Sequence, residues 1–504
     1  MDALPDWLEP LPDAEQMRAA DAWAIEQQGI PSLDLMERAG AGLVRVVQER
    51  APDGPVAVVC GKGNNGGDGL VAARLLRDAG REVRALLTAP AEELRGDARA
   101  NLERLPGPAP VMFQPAALEG AAAVVDALLG TGFADVPREP AAGAIEAINA
   151  SGAVVVAADV PSGVDASSGT VAGAAVRADA TASFHAAKPG LWIAPGKQCA
   201  GEVHVIDIGI PHGAPSAPAI GLIRASAARI VPRRQPGSTK FSEGAVLVVG
   251  GSTGLTGAPS LAAEAATRAG AGYVTTAVPA SLSLVFELRL LEVMTRRLPD
   301  VDGALAPSAL DEALRAAERA DAMVLGPGLG RGDGPRAFAC YLAARTRLPL
   351  LLDADGLNAH AGGLLALANR SAPTVLTPHA GELARLLDIH SSQVEAERLA
   401  RAREAAETAN AVVVLKGDDT LVAEPAGRVG VSPGSSPALA TAGTGDVLSG
   451  VIGALLAKGL VPFDAACAGV SLHAEAGRRA AGLHGPDTVI AHDVIEALRA
   501  AREP

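Results

Sequence analysis

Cysteine is scarce. Cys60, Cys199, Cys340 and Cys467 are the four in 504 residues, and no two of them form a CxxC pair. That argues against a disulfide framework and against a thiolate zinc cluster, and makes a reducing compartment, the cytosol, the expected location. Basic residues are outnumbered as well: 43 Lys and Arg face 57 Asp and Glu, for a formal net charge of −14. Nucleic acid is not an expected partner, because binding its backbone needs a basic surface. Small phosphates remain within reach, since backbone N–H groups can hold them. No uncharged apolar run is long enough to span a membrane. The opening residues carry Asp2, Asp6, Glu9 and Asp13 among prolines, without the basic start and apolar centre of a signal peptide. No internal repeat relates the two halves, so duplication does not explain the length.

What is present is globular: 49% hydrophobic and 20% charged residues, enough chain for two large domains or three small ones. Short β-branched runs at Val56–Cys60, Val83–Leu87, Ala123–Ala127 and Val154–Asp159 alternate with Ala- and Leu-rich stretches, the pattern of βαβ units on a parallel sheet. A second series starts at Ala245–Val249 and continues through Ala322–Leu325, Leu350–Asp353, Thr374–Leu376 and Val412–Leu415. Two sheets predict two three-layer α/β/α domains. Pro-, Gly- and Ser-rich stretches at 211–220 and 233–244 place the junction near Gly221, giving domains 1–220 and 221–504. Leu11 to Arg50 reads as helical and would pack on its own domain or on a second subunit.

After the first strand comes the run Gly61 to Gly69, GKGNNGGDG, and then a helical stretch predicted over Leu70–Ala79. A strand, a glycine loop and a helix N-terminus make a phosphate cradle. Gly61, Gly63 and Gly66 fit GxGxxG, but the next strand ends on Thr88, Ala89 and Pro90 rather than on an acid, which demotes an ordinary dinucleotide-dependent dehydrogenase. Read alone, the run is also compatible with a tight turn in which Asn64 and Asn65 take left-handed conformations. Asp126 and Asp159 stand at two other strand ends, where an open parallel sheet gathers its ligands. Asn65, Asp126 and Ser162 would share a site whose oxygens suit a hard cation; the alternative is that the two aspartates cap the helices that follow.

These blocks, with LLGTG at 128–132, DVPSG at 159–163 and the stretch from Ala178 to Lys188–Gly190, resemble the NAD(P)H-hydrate epimerase family, in order, over nearly the whole first half. That resemblance implies a Rossmann-like domain that interconverts the R and S epimers of hydrated NADH and NADPH and binds potassium. It implies substrate contacts at Asn64, Asn65, Gly66, Gly67 and Asp68, at Gly130, Thr131, Gly132, Phe133, Ala134, Asp135 and Val136, and at Asp159, with potassium held by Asn65, Asp126 and Ser162. The loop at 133–136 is less basic than is usual in the family. Epimerising a carbinolamine carbon requires loss and return of the hydroxyl, or ring opening, and either needs an acid–base group. Asp159 is the candidate, with Asp126 as runner-up.

In the second half, Ala440 to Gly450, ATAGTGDVLSG, opens an apolar helix. Gly443, Thr444 and Gly445 at its start would form an anion hole, with Asp446 beside the phosphate as a base for an attacking hydroxyl; Asp446 as an ordinary first-turn acid is the plainer reading. The motif resembles the ribokinase-like superfamily. With Gly250–Ser252, Gly254–Pro259, Gly326–Gly330, Asp353–Asn358, Thr377–Glu382 and Lys416–Thr420 it is similar, more narrowly, to NAD(P)H-hydrate dehydratases. The resemblance implies that the S hydrate is phosphorylated by ADP with magnesium, then loses phosphate to restore NAD(P)H and leave AMP. Ala258, Gly328, His379 and Asp446 would touch the hydrate; Lys416, Gly417, Asp418, Asp419, Thr420 and Gly445 would hold the nucleotide. Without its motif, His379 is as well read as a hydrogen-bonded turn histidine. The chain departs from the family around Phe241, at Leu291 and over Ser432 to Pro437. The expected partners are small molecules (both hydrates and ADP), in a homo-oligomer. The competing reading is a ribokinase-like small-molecule kinase fused to a non-catalytic binding module.

Overall fold

The computed structural model describes residues 4–215 and 217–502, which divide into two compact units: Pro10–Ile220, and Pro5–Glu9 with the chain from Gly221 onward. The strands of the first part of the chain are β1 (Leu8–Pro10), β2 (Val56–Cys60), β3 (Val83–Leu87), β4 (Val111–Met112), β5 (Ala123–Ala127), β6 (Val154–Ala158), β7 (Ala180–Phe184) and β8 (Glu202–Ile206). Seven of them form one sheet in the order β4-β3-β2-β5-β6-β7-β8, parallel throughout. β2, β5 and β7 are buried along their whole length and β3 and β6 over most of it, as a sheet covered by helices on both faces requires. The strand order reverses between β2 and β5, so a crevice opens at their carboxyl ends.

The helical stretch before β2 is two helices, Ala14–Glu26 and Ser32–Arg50, broken where Gly29 takes a φ of +69°. Asp13 caps the first, accepting from the Glu15 and Gln16 N–H groups while Gln16 returns a bond to its backbone. The second packs on its own unit: Gly40 lies against Val71 and Gly42 against Ile206, both too close for a Cβ.

The glycine run is where the expectation fails most clearly. The helix does not wait for Leu70; it runs Asn64–Asp78, so Asn64 and Asn65 are helical rather than left-handed. The reason is packing. A Cβ on Gly66 would sit 1.9 Å from the Gly61 carbonyl oxygen, and one on Gly69 would sit 2.6 Å from Ala127 Cβ, so these glycines let the first helical turns press onto the sheet.

The remaining strands are β9 (Ile220–Ile223), β10 (Ala245–Val249), β11 (Tyr273–Pro279), β12 (Met294–Leu298), β13 (Asp300–Val301), β14 (Ala304–Leu305), β15 (Ala322–Leu325), β16 (Leu350–Leu352), β17 (Thr374–Leu376), β18 (Val412–Leu415), β19 (Leu421–Ala423) and β20 (Val429–Val431). β13 and β14 form a separate antiparallel hairpin. The others join β1 in an eleven-stranded sheet ordered β1-β9-β20-β19-β18-β17-β16-β15-β10-β11-β12. It is parallel from β18 to β12 and antiparallel through β18, β19 and β20. The sequence did not signal β1: its three residues read as part of a proline-rich leader, yet the Arg224 N–H donates to the Trp7 carbonyl and the Trp7 ring packs on Phe463. The strand order turns at β10 and β15, where a Cβ on Gly250 would meet the Pro327 carbonyl at 2.1 Å. Among the described residues no helix is long and apolar enough to cross a membrane.

Candidate active sites

In the first unit the carboxyl ends of β2, β5 and β6 open into a cleft of about 1150 Å³ lined by Asp21, Asn64, Asn65, Asp68, Gly130–Phe133, Asp135, Val136 and Asp159. Of the residues expected at substrate, Gly66, Gly67 and Ala134 do not line it. Gly66 faces Gly61, and Gly67 packs against Met36 and Ala98.

At the base of the cleft, Asp126 is fully buried; its Oδ1 accepts from the Ser162 hydroxyl at 2.6 Å and its Oδ2 from the Ser162 N–H at 2.8 Å. Burial pushes its carboxyl up to about 6 despite those bonds. Asn65 donates to the Leu129 carbonyl at 3.0 Å, and the Leu129 N–H donates to Ser162 Oγ at 2.9 Å. Asn65, Asp126, Ser162 and Leu129 are therefore one cluster. Its signature is the Asn65 side-chain oxygen, buried with no hydrogen-bond partner. An orphaned oxygen in a cluster with a buried carboxylate fits a hard, oxygen-seeking cation.

Asp159 follows β6 with a φ of +67°, a strained conformation for a residue with a side chain. Four donors hold it there: Lys188 Nζ at 2.5 Å and the Phe184 N–H at 3.3 Å on Oδ1, the Thr131 N–H at 3.2 Å and the Thr131 hydroxyl on Oδ2. Burial raises its pKa, but the Lys188 charge and these bonds outweigh it, and the net shift is downward. Lys188 was quoted in the sequence only as part of a loop, where a lysine reads as surface; here it is among the largest fully enclosed side chains. Asp21, on the first helix, carried no sequence signal and also lines the cleft.

In the second unit the ends of β10, β15, β16, β17 and β18 deliver Gly250–Ser252, Gly326–Gly330, Asp353, Thr377–His379 and Lys416 to one side of the sheet. A Cβ on Gly328, at φ +61°, would meet the Leu255 carbonyl at 2.3 Å, so the Gly328 loop touches the loop that leads into the helix Gly257–Arg268 and its Ala258. The helix Thr444–Ala457 begins beside them, with Gly443 against Leu261. Its Asp446 is pushed up to about 7, by burial first and then by Asp353, against a lowering by Lys416 and with Glu382 adding to the rise. Lys416 Nζ stands 3.0 Å from Asp353 Oδ1 and 3.7 Å from Glu382 Oε2, and Ser449 donates to Asp353 Oδ2 at 2.7 Å. A Cβ on Gly445 would lie 3.5 Å from that ammonium, so Lys416, Gly445 and Asp446 share one corner.

His379 is the N-cap of the helix Ala380–Leu387: its Nδ1 accepts from the Gly381 and Glu382 N–H groups, and the Glu382 carboxylate accepts from the His379 N–H. That places the neutral ring's proton on Nε2, which stands 3.6 Å from Glu382 Oε1. The Lys416–Thr420 turn is tied internally. Asp419 is buried against Arg398 at 2.8 Å, Thr420 Oγ1 donates to the Gly417 carbonyl at 2.7 Å, and Asp418 Oδ1 accepts from the Ser435 N–H at 3.1 Å. The last bond joins the turn to the departing segment 432–437. Of the other departures, Phe241 stacks on Tyr273 at 5.8 Å and Leu291 is exposed.

Residues 246–500 match the family described as NAD(P)H-hydrate dehydratase, and residues 32–190 the family described as YjeF-related protein N-terminus. A bifunctional NAD(P)H-hydrate repair enzyme from Salinibacter ruber is 42% identical, covering 97% of this chain and 95% of its own. The one from Escherichia coli is 34% identical over 97% and 93%. Among solved structures, a ribokinase-like superfamily protein from Enterococcus faecalis, 23% identical, aligns with 56% of this chain and 96% of its own at a TM-score of 0.50, a likeness of fold.

Proposed function

Because the chain belongs to the family of bifunctional NAD(P)H-hydrate repair enzymes, we propose that its first unit interconverts the R and S hydrates of NADH and NADPH and its second dehydrates the S form at the expense of ADP. The observation that carries the reading is that both units place a carboxylate–lysine pair and a second carboxyl of raised pKa at converging strand ends. In the second unit, the Asp446 carboxylate takes the proton of the substrate hydroxyl as its oxygen attacks the terminal phosphoryl group of the nucleotide. A base with a pKa near 7 suits that step at neutral pH. Lys416 and the N–H groups at Gly445 face the developing phosphate charge, and the loops of Ala258, Gly328 and His379 hold the hydrate. Phosphate leaves where hydroxide would not, which restores the nicotinamide.

The finer assignments belong to the same proposal. Potassium would be held by Asn65, Asp126, Ser162 and the Leu129 carbonyl, where it would fix the loop at the cleft floor; magnesium would accompany the nucleotide near Lys416–Thr420. Exposed Leu284 and Leu288, one turn apart on the helix Ser283–Arg289, support a homo-oligomer, and the domain boundary would fall at Gly221, a reading that the division into two compact units supports. The test is incubation of the full chain with a mixture of both hydrate epimers, with and without ADP. Full recovery of nicotinamide absorbance only with ADP is expected. A stable phosphorylated product favours a kinase, and recovery that stops at the S fraction removes the epimerase half.

A further inference from the structure

Asp159 is poorly placed to move a proton. Its two oxygens receive four donors, from Lys188, Phe184 and Thr131, which fills the lone-pair sites a carboxylate has. Lys188 is equally committed: its three N–H bonds go to Asp159, to Ser183 Oγ at 3.0 Å and to the Phe184 carbonyl at 2.8 Å. The two make a fixed ion pair at the cleft wall, rigid and already satisfied.

Epimerisation at the carbon beside the ring nitrogen needs both a charge and a proton. If a proton reaches the hydroxyl as the C–O bond breaks, water leaves and the nitrogen lone pair forms an iminium cation. Water then adds to the opposite face, the new C–O bond forms, and one proton is released to the group that gave the first. A fixed anion beside the cation stabilises it without being consumed. The proton has to come from somewhere else.

Asp68 and Asp21 line the same cleft as Asp159. Asp68 is 8% exposed, and among the described residues neither carboxyl has a hydrogen bond or ion pair within the protein. We propose that the Asp21–Asp68 pair carries the proton that leaves and returns during epimerisation, while Asp159, locked by Lys188, is the fixed anion that faces the cationic intermediate. The inference rests on the epimerase reading above. The electrostatics agree. Burial, then Asp159 and Asp21, raise Asp68 well above its ordinary value, and burial, then Asp159, push Asp21 up to about 6, with Lys188 opposing both. The other titratable groups facing Asp68 are Asp97 and the buried Cys60 thiol. Two carboxyls in one cleft hold a proton more tightly than an isolated carboxyl does.

The test supplies purified R hydrate of NADH to the full chain without nucleotide and follows the S epimer by chromatography. If wild type does not interconvert the epimers, the epimerase reading itself fails before any variant is made. With wild type active, its rate should fall as pH rises and the pair loses its proton. Asp68→Asn should lower kcat about 10²–10⁴-fold with KM within a few-fold. Asp21→Asn, which removes a neighbouring negative charge, should move the alkaline limb to lower pH. Asp159→Asn should lose rate and, by removing another neighbouring negative charge, move that limb to lower pH without erasing it. Asp68→Glu, with its melting curve unchanged, should return part of the rate that Asp68→Asn loses. The proposal is overturned if Asp68→Asn and Asp21→Asn both run within a few-fold of wild type. It is equally overturned if Asp159→Asn erases the alkaline limb, or if well-folded Asp68→Glu is as slow as Asp68→Asn.

Discussion

Asp446→Asn should make the protein more stable and nearly inactive at once. The folded state holds this carboxyl at about 7, up from an ordinary value of 3.8, chiefly through burial and Asp353. A carboxyl raised on folding favours the native state where both states are protonated, below the unfolded value. That advantage is lost as pH climbs from there through about 7, so above 7 the ionised Asp446 is a full burden on the fold. At about 1.4 kcal/mol for each tenfold change in proton affinity, the rise from 3.8 to about 7 sets an upper bound of about 4 kcal/mol. Partial solvent access reduces the gain expected on neutralising it to about 1–3 kcal/mol, a rise of a few degrees in Tm for a unit of this size. Removal of a general base should meanwhile lower turnover about 10²–10⁴-fold, with ADP affinity nearly kept. Melting curves of wild type and Asp446→Asn at pH 8 and pH 4, with dehydration rates and ADP calorimetry on the same samples, measure all of it. A stability gain equal at both pH values, or none at pH 8, would refute the electrostatic reasoning; turnover within a few-fold of wild type would refute the role as base.

Potassium at a concentration about ten times its Kd should stabilise the first unit by about 1.4 kcal/mol over lithium at equal ionic strength, an effect that grows as pH rises through the Asp126 value of about 6 and vanishes in Asp126→Asn, read by thermal melting. Gly66→Ala should destabilise by about 1–3 kcal/mol in denaturant titration, because its Cβ would fall 1.9 Å from the Gly61 carbonyl oxygen, with backbone on both sides of the clash. His379→Ala should lose about 1 kcal/mol of cap energy as well as activity. His379→Asn should keep the cap and lose activity alone; if it keeps both, the His379 Nε2–H does not touch substrate.

Buried parallel strands were the most legible feature, because a run such as Val56–Cys60 or Val412–Leu415 is apolar on both faces and bounded by glycine or charge. Strands lacking that density were missed: Glu202–Ile206 alternates with charge at the sheet edge, and Leu8–Pro10 is too short to show a period. The glycine run was misjudged because glycine scores against helix by propensity, while here it is demanded by helix-to-sheet contact at Gly61 and Ala127. Motif positions single out Asp126, Asp159, His379 and Asp446 but cannot say what each side chain faces. Asp419 was expected at the nucleotide and is turned onto Arg398, while Lys188 and Asp21 became visible only when the fold enclosed one and aimed the other into the cleft.

Two unrelated sheets reach the same electrostatic arrangement. In each, a strand-end aspartate is paired with a lysine, Asp159 with the fully enclosed Lys188 and Asp353 with the half-buried Lys416. In each, a second carboxyl sits on a helix that opens with glycines, Asp68 in one and Asp446 in the other, and that carboxyl is raised by burial and by the first aspartate. The lysine cannot be the proton carrier in either, because its charge is what allows an ionised aspartate to exist so far inside the protein. The paired aspartate cannot be the carrier either: Asp159 is held down by Lys188 and its hydrogen bonds, and Asp353 has one oxygen on Lys416 and the other on Ser449. What remains is the second carboxyl, whose pKa is lifted because a fixed negative charge already stands beside it. Two like carboxyls placed so that only one is neutralised give an acid–base group near neutral pH without a histidine. On that argument the lysines set the pH range of both reactions. Replacing Lys416 with Met should therefore raise Asp446 further and move the onset of dehydration to higher pH, a displacement along the pH axis that simple loss of a nucleotide contact would not produce.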